Sequence, residues 1–535
     1  MAEQKLRDKL ALRHPCYEER LAEWNLLDDS WSGRGGFLPP LDSPSWGAAG
    51  PKWAELPSYR STSYVVPFTR ERYPHWQQRV RTACYINHYR KIAETILGFL
   101  RRSPIQIENL PPELVSWRKN ADGLGHTLDE LVMGPLAENM LRFGWTPSCV
   151  DRPAVAAANG AEAAQDGWTT FAVVRDPRSM IAWGEDDKTG QLQWARFEDR
   201  ILRWADPLAA PDVVTRWTQW SADEVAQWEW IESGDRKMED AQPVEGFPRA
   251  NQTRRLPVVV GFHGGPQPTF AIPDAPLLST ALLGLWLYNR GSEETDLHRQ
   301  RGFPILCWPV QKGMTPRGIK AGTDNAVPYP SEGNPPIYLQ PDGSSAASYD
   351  TLIKRGSTDM YEQSRTDFSR SGAQVESGVS RAIRFQALNA NMVSFGQSLV
   401  TVARSMAELA IAWNTPEGTA VDPVAVLADA KFVAPTDYDV EDLDRELAQL
   451  ETGMRLDLGP TAEGELRKQA RDRLVTFTDP KLLERSNAEI EADTAARRAR
   501  SSGGEGLPPA GQGDTEQAWT VEVTEDEEQP APRAE

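Results

Sequence analysis

Nine apolar residues, Phe385, Leu388, Met392, Phe395, Leu399, Val402, Met406, Leu409 and Trp413, recur at alternating steps of three and four. They lie within VESGVSRAIRFQALNANMVSFGQSLVTVARSMAELAIAW, which runs from Val375 to Trp413. Residues three and four apart share a helix face. The spacing therefore predicts one striped helix of about nine turns, roughly 50 Å long at ~1.5 Å per residue. A stripe of that length has to be covered, either by a core or by another helix in a coiled-coil seam. The glycine-punctuated SRSGAQVESGVS comes just before it, and before that the polar helical pattern YDTLIKRGSTDMYEQSRTDFSRS.

Upstream, the pattern changes several times. The first 75 residues are rich in Pro and Gly, which predicts an arm or loop region pinned by Trp24, Trp31, Trp46 and Trp53 rather than a regular layer. RYPHWQQRVRTACYINHYRKIAETILGFLRRSP reads as one helix closed by Pro104. Val80, Ala83, Cys84, Asn87, Ile92, Ile96 and Phe99 mark its buried side only loosely. TLDELVMGPLAENMLRFG reads as a second helix, with Thr127 and Glu130 as a capping box and Gly144 as its stop. From about Trp168 the period becomes that of strands: TTFAVV, a hairpin turning at DDKTGQ, DVVTRWTQW, and EVAQWEWI with Ala226, Trp228 and Trp230 on one face. LPVVVGF closes this part as a strand covered on both sides.

PLLSTALLGLWLYNRGSEETDLHRQRGFP reads as a helix with an apolar first half (Leu278, Leu282, Leu285, Trp286) and a charged second half, so it passes between two environments. About 45 residues rich in Pro and Gly follow and hold two or three short strands. Beyond the long helix, VEDLDRELAQLETGM carries the stripe Leu443, Leu447, Leu450 and Met454, and two further helices each open on Pro. The fold class is α+β and predominantly helical.

Composition limits what such a chain can do. At 535 residues it has room for several cores. A formal charge of −19 opposes a general basic surface for gripping nucleic acid. Residues 501–535 read as a disordered acidic tail. The charged N-terminal stretch does not read as a signal peptide, and no apolar run approaches the ~20 residues of a membrane span. Four cysteines without CxxC spacing (Cys16, Cys84, Cys149, Cys307) suit a reducing compartment, and the histidines lack the spacing of a helical metal clamp. No cofactor or metal is expected.

Catalytic signatures are missing too. The chain has no P-loop, no GxGxxG, no HExxH and no GxSxG. The acid pairs Asp186/Asp187 and Glu293/Glu294 read as solvated surface, and His14 with Cys16 is too close in sequence for a typical thiolate dyad. Nineteen tryptophans read as pins for loops and subunit contacts before they read as a stacking platform. The chain is not expected to be an enzyme.

The order of elements resembles the portal proteins of tailed double-stranded DNA bacteriophages. Two N-terminal stretches join in the likeness. YPHWQQRVRTACYINHYRKIAETILGFLRRSP is similar to the family's early helix, and LPVVVGFHGG with APLLSTALLGLWLYNRGSEETDLHRQRGFPIL is similar to its lead into the stem. The first stem helix departs from the common pattern in carrying Trp286.

The resemblance implies an N-terminal arm and α/β wing over 1–275, a first stem helix over 276–303, and a clip over 304–348. It also implies a second stem helix over 349–370, a channel loop over 371–380 and a long wing helix with its return over 381–438. A helical crown spans 439–500 and the acidic tail 501–535. Such subunits form a ring, typically of twelve, at one capsid vertex. The ring nucleates head assembly, carries DNA during packaging and ejection, and docks the terminase and then the head-tail adaptors. It is a virion component, present in the host cytoplasm during assembly.

The implied partners are copies of the chain itself, transiently held double-stranded DNA, the terminase, scaffold, major capsid protein and adaptors, with no membrane. The implied channel-loop residues are Gly372, Gln374, Glu376, Ser377, Gly378 and Ser380, and Lys354 and Arg355 could touch phosphates. Lys312, Arg317, Lys320, Tyr329 and Tyr338 would meet the motor or adaptor. Phe385, Leu388, Met392, Phe395, Leu399 and Val402 would form the inter-helix packing, buried by neighbouring subunits. The alternatives are a carbohydrate-active hydrolase with a tryptophan platform, expected as a compact monomer, and another ring-forming virion connector.

Overall fold

The computed structural model describes residues 5–38, 63–69, 71–152, 170–204, 206–208, 210–233, 237–302, 305–310, 327–330, 335–339, 344–367, 378–415, 419, 421–438, 460–474 and 480–502. The chain divides into two compact units, Met1–Asp439 and Val440–Glu535.

The first unit opens with helix α1 (Leu6–Leu10), whose free N–H groups on Leu6 and Arg7 both donate to the Asp240 carboxylate at 2.8 Å. Helix α2 (Pro15–Ser32) follows, capped by the His14 ring and ended by Gly33 in the left-handed region at φ 65°. An 18-residue helix thus stands where the turn signals predict an irregular arm. The physical reason is that α2 buries two faces. Tyr17, Trp24 and Leu27 join the main core, while Leu26 joins a separate cluster with Phe37, Val65, Val80 and Tyr288, so no single apolar stripe shows in the sequence. Trp46 and Trp53 lie outside the described residues.

The single helix expected from Arg72 to Pro104 is two, α3 (Tyr73–Thr82) and α4 (His88–Arg102). Asn87 interrupts it by accepting the Arg90 N–H at 2.8 Å as an N-cap, and Tyr85 leaves the helix to stack on Phe37, ring centroids 3.8 Å apart. After α5 (Pro112–Lys119), Thr127 and Glu130 form the expected capping box at the start of α6 (Leu128–Leu131). Pro135 lacks an N–H, and a π turn over Val132–Leu136 absorbs it before α7 (Ala137–Phe143) ends at Gly144, φ 83°.

Strand β1 (Gln106–Glu108) pairs with a strand near the end of the unit. Strand β2 (Trp145–Asp151) leaves Gly144 directly and pairs antiparallel with β3 (Phe171–Val174). The strand pattern does not flag β2, because Thr146, Pro147 and Ser148 interrupt its apolar character. It is nevertheless the centre of its sheet, and the buried Thr146 hydroxyl donates to the Arg175 carbonyl at 2.9 Å.

A second sheet runs as a meander through β4 (Met180–Glu185), β5 (Leu192–Arg203), β6 (Asp212–Ser221), β7 (Glu224–Ser233) and β8 (Gln242–Pro243). Strand β9 (Arg249–Ala250) pairs with the start of β7. The β4–β5 turn is the hairpin expected at DDKTGQ. Asp186 accepts the N–H groups of Lys188 and Thr189, and Gly190 supplies φ 64°. Strand β10 (Val258–Phe262) is LPVVVGF. By its hydrogen bonds it is an edge strand on β2; Val258, Gly261 and Phe262 are buried and Val259 and Val260 half-buried, with the helix Gly378–Asn414 lying against it.

Helix α8 (Leu278–Gly302) leads to a small sheet of β11 (Ile305–Val310), β12 (Val327–Pro330) and β13 (Ile337–Leu339), from which α9 (Ser344–Gln363) returns. The 37-residue α10 (Gly378–Asn414), a short α11 (Pro423–Val426) and β14 (Lys431–Val433), the partner of β1, complete the unit.

The second unit presents α12 (Pro460–Leu474) and α13 (Pro480–Ser502), each opening on Pro as expected. The two pair through Arg471 to Asn487 at 2.7 Å and Lys468 to Glu491 at 2.9 Å, with Gly464 set closely against Thr494. The stripe Leu443, Leu447, Leu450 and Met454 lies outside the described residues, as does the acidic tail from 503 onward; α13 itself continues to Ser502.

Candidate functional site

The feature that stands out is a helical hairpin with a small sheet at its far end. Helices α8 and α9 run antiparallel. The Tyr349 hydroxyl donates to Glu293 at 3.0 Å near the sheet. A Cβ on Gly356 would lie 2.6 Å from the Trp286 ring, and one on Gly284 3.6 Å from the end of Met360 nearer the core. Glycine on each helix lets the two axes approach closely.

The base of the hairpin is apolar, with Leu277, Ala281, Tyr288, Met360 and Tyr361 buried. Its distal half carries charge of both signs: Glu293, Glu294, Asp296 and Asp350 with Arg290, Arg299, Arg301, Lys354 and Arg355, and His298. This is the change of character read from the sequence. Of the four apolar residues named in its first half, Leu278, Leu285 and Trp286 are half-buried and Leu282 is exposed. The returning helix is Ser344–Gln363 rather than 349–370, because Arg365 adopts φ 58° and turns the chain out of helix.

Lys354 forms an exposed ion pair with Asp350, one turn earlier, at 2.6 Å, and Arg355 is exposed next to it. Exposed i,i+4 pairs contribute about 0.3–0.5 kcal/mol, so Lys354 is readily released to an anion.

In the small sheet β12 lies parallel to β11, and β13 lies antiparallel on its other side. The strand sequences ILCWPV, VPYP and IYL contain no charged side chain. Leu306 lies opposite Tyr338, so Trp308 shares the Tyr338 face, and these two rings are 53% and 67% exposed. The sequence reading named Tyr338 and missed Trp308. The period-2 alternation of β11 is the signal that could have found it. Tyr329 is half-buried, its hydroxyl donating to the Pro335 carbonyl at 3.1 Å. Lys312, Arg317 and Lys320 lie outside the described residues.

Of the expected channel-loop residues, Gly372, Gln374, Glu376 and Ser377 lie outside the described residues. Gly378 and Ser380 are in the first turn of α10, so the long helix starts at Gly378 rather than Arg381. First-turn N–H groups have no partner within a helix, which is why glycine and serine there do not stop it.

The stripe Phe385, Leu388, Met392, Phe395, Leu399, Val402, Met406, Leu409 and Trp413 is buried throughout, but within its own unit. Phe385 meets Phe99 at 5.0 Å between ring centroids and Phe395 meets His263 at 4.4 Å. The Trp413 indole donates to the Val150 carbonyl at 2.7 Å. Val402 comes within 2.9 Å of where a Gly261 Cβ would sit. The expectation that neighbouring subunits bury this stripe is therefore overturned: β2, β10 and helix α4 cover it. Ala403, Ala407 and Ala410 are buried beside the stripe, and these small residues let α10 sit in the middle of a core.

Groups considered for catalysis are engaged structurally. Asp186 holds its turn, and Glu293 binds Tyr349 and Arg290. The His14 ring stacks on Trp183 at 4.1 Å and accepts the Cys16 N–H, while burial pushes the Cys16 thiol up, away from a thiolate. Trp24, Trp117, Trp145, Trp183, Trp217, Trp220 and Trp413 are buried as packing groups. Among the described residues no group of three or more His, Cys, Asp or Glu is placed to hold a metal ion, and no helix is long and apolar enough to cross a membrane.

Comparison with models of protein families gives no match. Comparison with curated proteins likewise gives none.

Proposed function

We propose that the chain is the subunit of a bacteriophage portal ring, a conduit for double-stranded DNA at one capsid vertex. One observation carries the reading: an antiparallel helical hairpin, apolar at its base and charged at its far half, bears an uncharged three-stranded sheet at its tip and is followed by a 37-residue helix through the core. In this reading α8 and α9 are the stem, β11–β13 belong to the clip, and α10 is the strut of the wing.

The charge pattern supports a passage rather than a grip. Acids (Glu293, Glu294, Asp296, Asp350, Asp359, Glu362) and bases (Arg290, Arg299, Arg301, Lys354, Arg355) nearly balance along the two helices, so the hairpin presents no strongly basic surface to retain a polyanion, and Lys354 is already paired with Asp350. The exposed rings of Trp308 and Tyr338 suit a protein partner, for which aromatic anchors are favoured, and the terminase and head-tail adaptors are the partners in this role. Scaffold and the major capsid protein would meet the wing. Energy for DNA movement comes from the separate motor.

The test is a deletion of Ser371–Ser377, which stops short of the helix start at Gly378. Rings should still assemble, and heads should stay empty of DNA. DNA-filled heads from that variant would refute the channel role of the segment.

A further inference from the structure

Helix α9 ends in an unusual way. The Thr366 N–H donates to the Tyr361 carbonyl at 2.9 Å and the Arg365 N–H to the Glu362 carbonyl at 3.0 Å, the paired bonds of a Schellman stop. The left-handed position of that stop normally falls to glycine, yet here it is Arg365 at φ 58°. The turn is held on both sides: Ser364 and Thr366 are buried, and their hydroxyls meet at 2.7 Å. A non-glycine residue kept in this region by its surroundings points to a use for its side chain.

The side chain reaches the next helix. Nη1 of Arg365 donates to the Ala387 carbonyl and to Oδ1 of Asn391, both at 3.0 Å. These acceptors lie in the third and fourth turns of α10. Beside them a cleft of about 70 Å³, open to solvent on one side, lies between Leu277, Ser364, Arg365, Asn391, Phe395 and His263. Where side chains do not wedge two helices at a fixed angle, a bridging guanidinium can.

We propose that Arg365 is a latch, a positioning residue that fixes the angle at which the α8–α9 hairpin leaves the core by tying the end of α9 to α10. The latch stands on this geometry. Its consequence for DNA passage, a stem held at one angle to the wing, rests on the ring reading above.

The opposing account makes Arg365 an exposed residue that happens to occupy a strained turn, and the two accounts predict opposite signs. Arg365→Gly and Arg365→Asn both relieve the left-handed backbone and both remove the bridge, whereas Arg365→Lys keeps a single reaching cation. The measurement is amide hydrogen exchange on the purified full chain. The latch predicts exchange over residues 385–392 faster by roughly fivefold in the Gly and Asn variants, with Lys between them and wild type and residues 399–413 unchanged. Exchange over 385–392 that is unchanged or slower in the Gly and Asn variants overturns the latch. Should Arg365→Gly not fold, Arg365→Asn, which also tolerates the left-handed region and removes both bonds, is read alone: faster exchange over 385–392 supports the latch and an unchanged or slower rate overturns it. Exchange does not depend on ring formation, so a monomer in solution would end the ring reading and leave this result standing.

Discussion

Arg79 and Glu71 form an ion pair almost sealed from water, with the nearest N···O distance 2.6 Å and side-chain exposures of 2% and 5%. Arg79 also donates to the Val66 carbonyl and lies 4.0 Å over the Phe68 ring, which fastens residues 63–69 and 71–82 onto α8 at Ser292. Removing one partner of a buried pair strands the other charge. Glu71→Gln should therefore cost about 3–5 kcal/mol in urea unfolding, while replacing both residues by Met should cost much less. Equal losses from the single and double changes would contradict this.

The guanidinium holds the Glu71 carboxyl below its ordinary range. The pair's contribution is therefore complete above the unfolded carboxyl pKa and disappears as pH falls through the lower folded value. His263 adds a second acid-sensitive component. Burial pushes its pKa down to about 4. The unfolded chain takes up a proton near pH 6.5 that the folded chain refuses, so stability declines from there towards pH 4, by an amount on the order of 3 kcal/mol. His263→Gln should flatten that part of the profile, and an unchanged slope between pH 6.5 and 4 would contradict the assignment.

Local residue signals were readable and distant ones were not. The partners of the Thr127–Glu130 box are three residues apart and can be seen in the sequence, whereas Arg79 meets Ser292 only after folding.

Among the elements, the hairpin depends on Gly356 most directly. A β-branched side chain there would press on Trp286 and Leu287, so Gly356→Val should separate α8 from α9. The expected loss is about 1–3 kcal/mol, read by thermal melting, with faster amide exchange in both helices. A variant as stable as wild type would show that the helices do not depend on this contact.

The order of α8, the three short strands, α9 and α10 was legible because each element has a strong period or clear punctuation. Helix α2 was not, since its two buried faces cancel any single stripe. Strand β2 was not either, since Thr146, Pro147 and Ser148 lie at its centre. The stripe of α10 shows a further limit. Periodicity reveals that Phe385 to Trp413 must be covered, but it cannot distinguish an internal core from a neighbouring copy, and the chain covers this stripe itself.

At the scale of the whole molecule, the proposed ring rests on the hairpin, its tip and the long helix that follows them, and not on a stripe of α10 left for a neighbouring copy to cover. Trp308 and Tyr338 on one face of the small sheet, at the far end of the hairpin, are the exposed aromatic pair on which the proposed docking rests. The candidate site was half legible. Tyr338 and the polar stem could be read from the sequence, while Trp308 and the latch at Arg365 needed the register of β11 and the turn after α9.

Trp308→Ala with Tyr338→Ala should leave the fold and the ring intact and weaken capture of the motor or adaptor by at least tenfold, measured in a binding titration. Undiminished capture would move docking elsewhere. The most direct test of the central claim is light scattering on the purified chain, paired with negative-stain micrographs. The account predicts a closed particle of several copies, several hundred kilodaltons in mass, showing end-on annuli with a central hole. A single species at the monomer mass of 59.6 kDa with no annuli would contradict it.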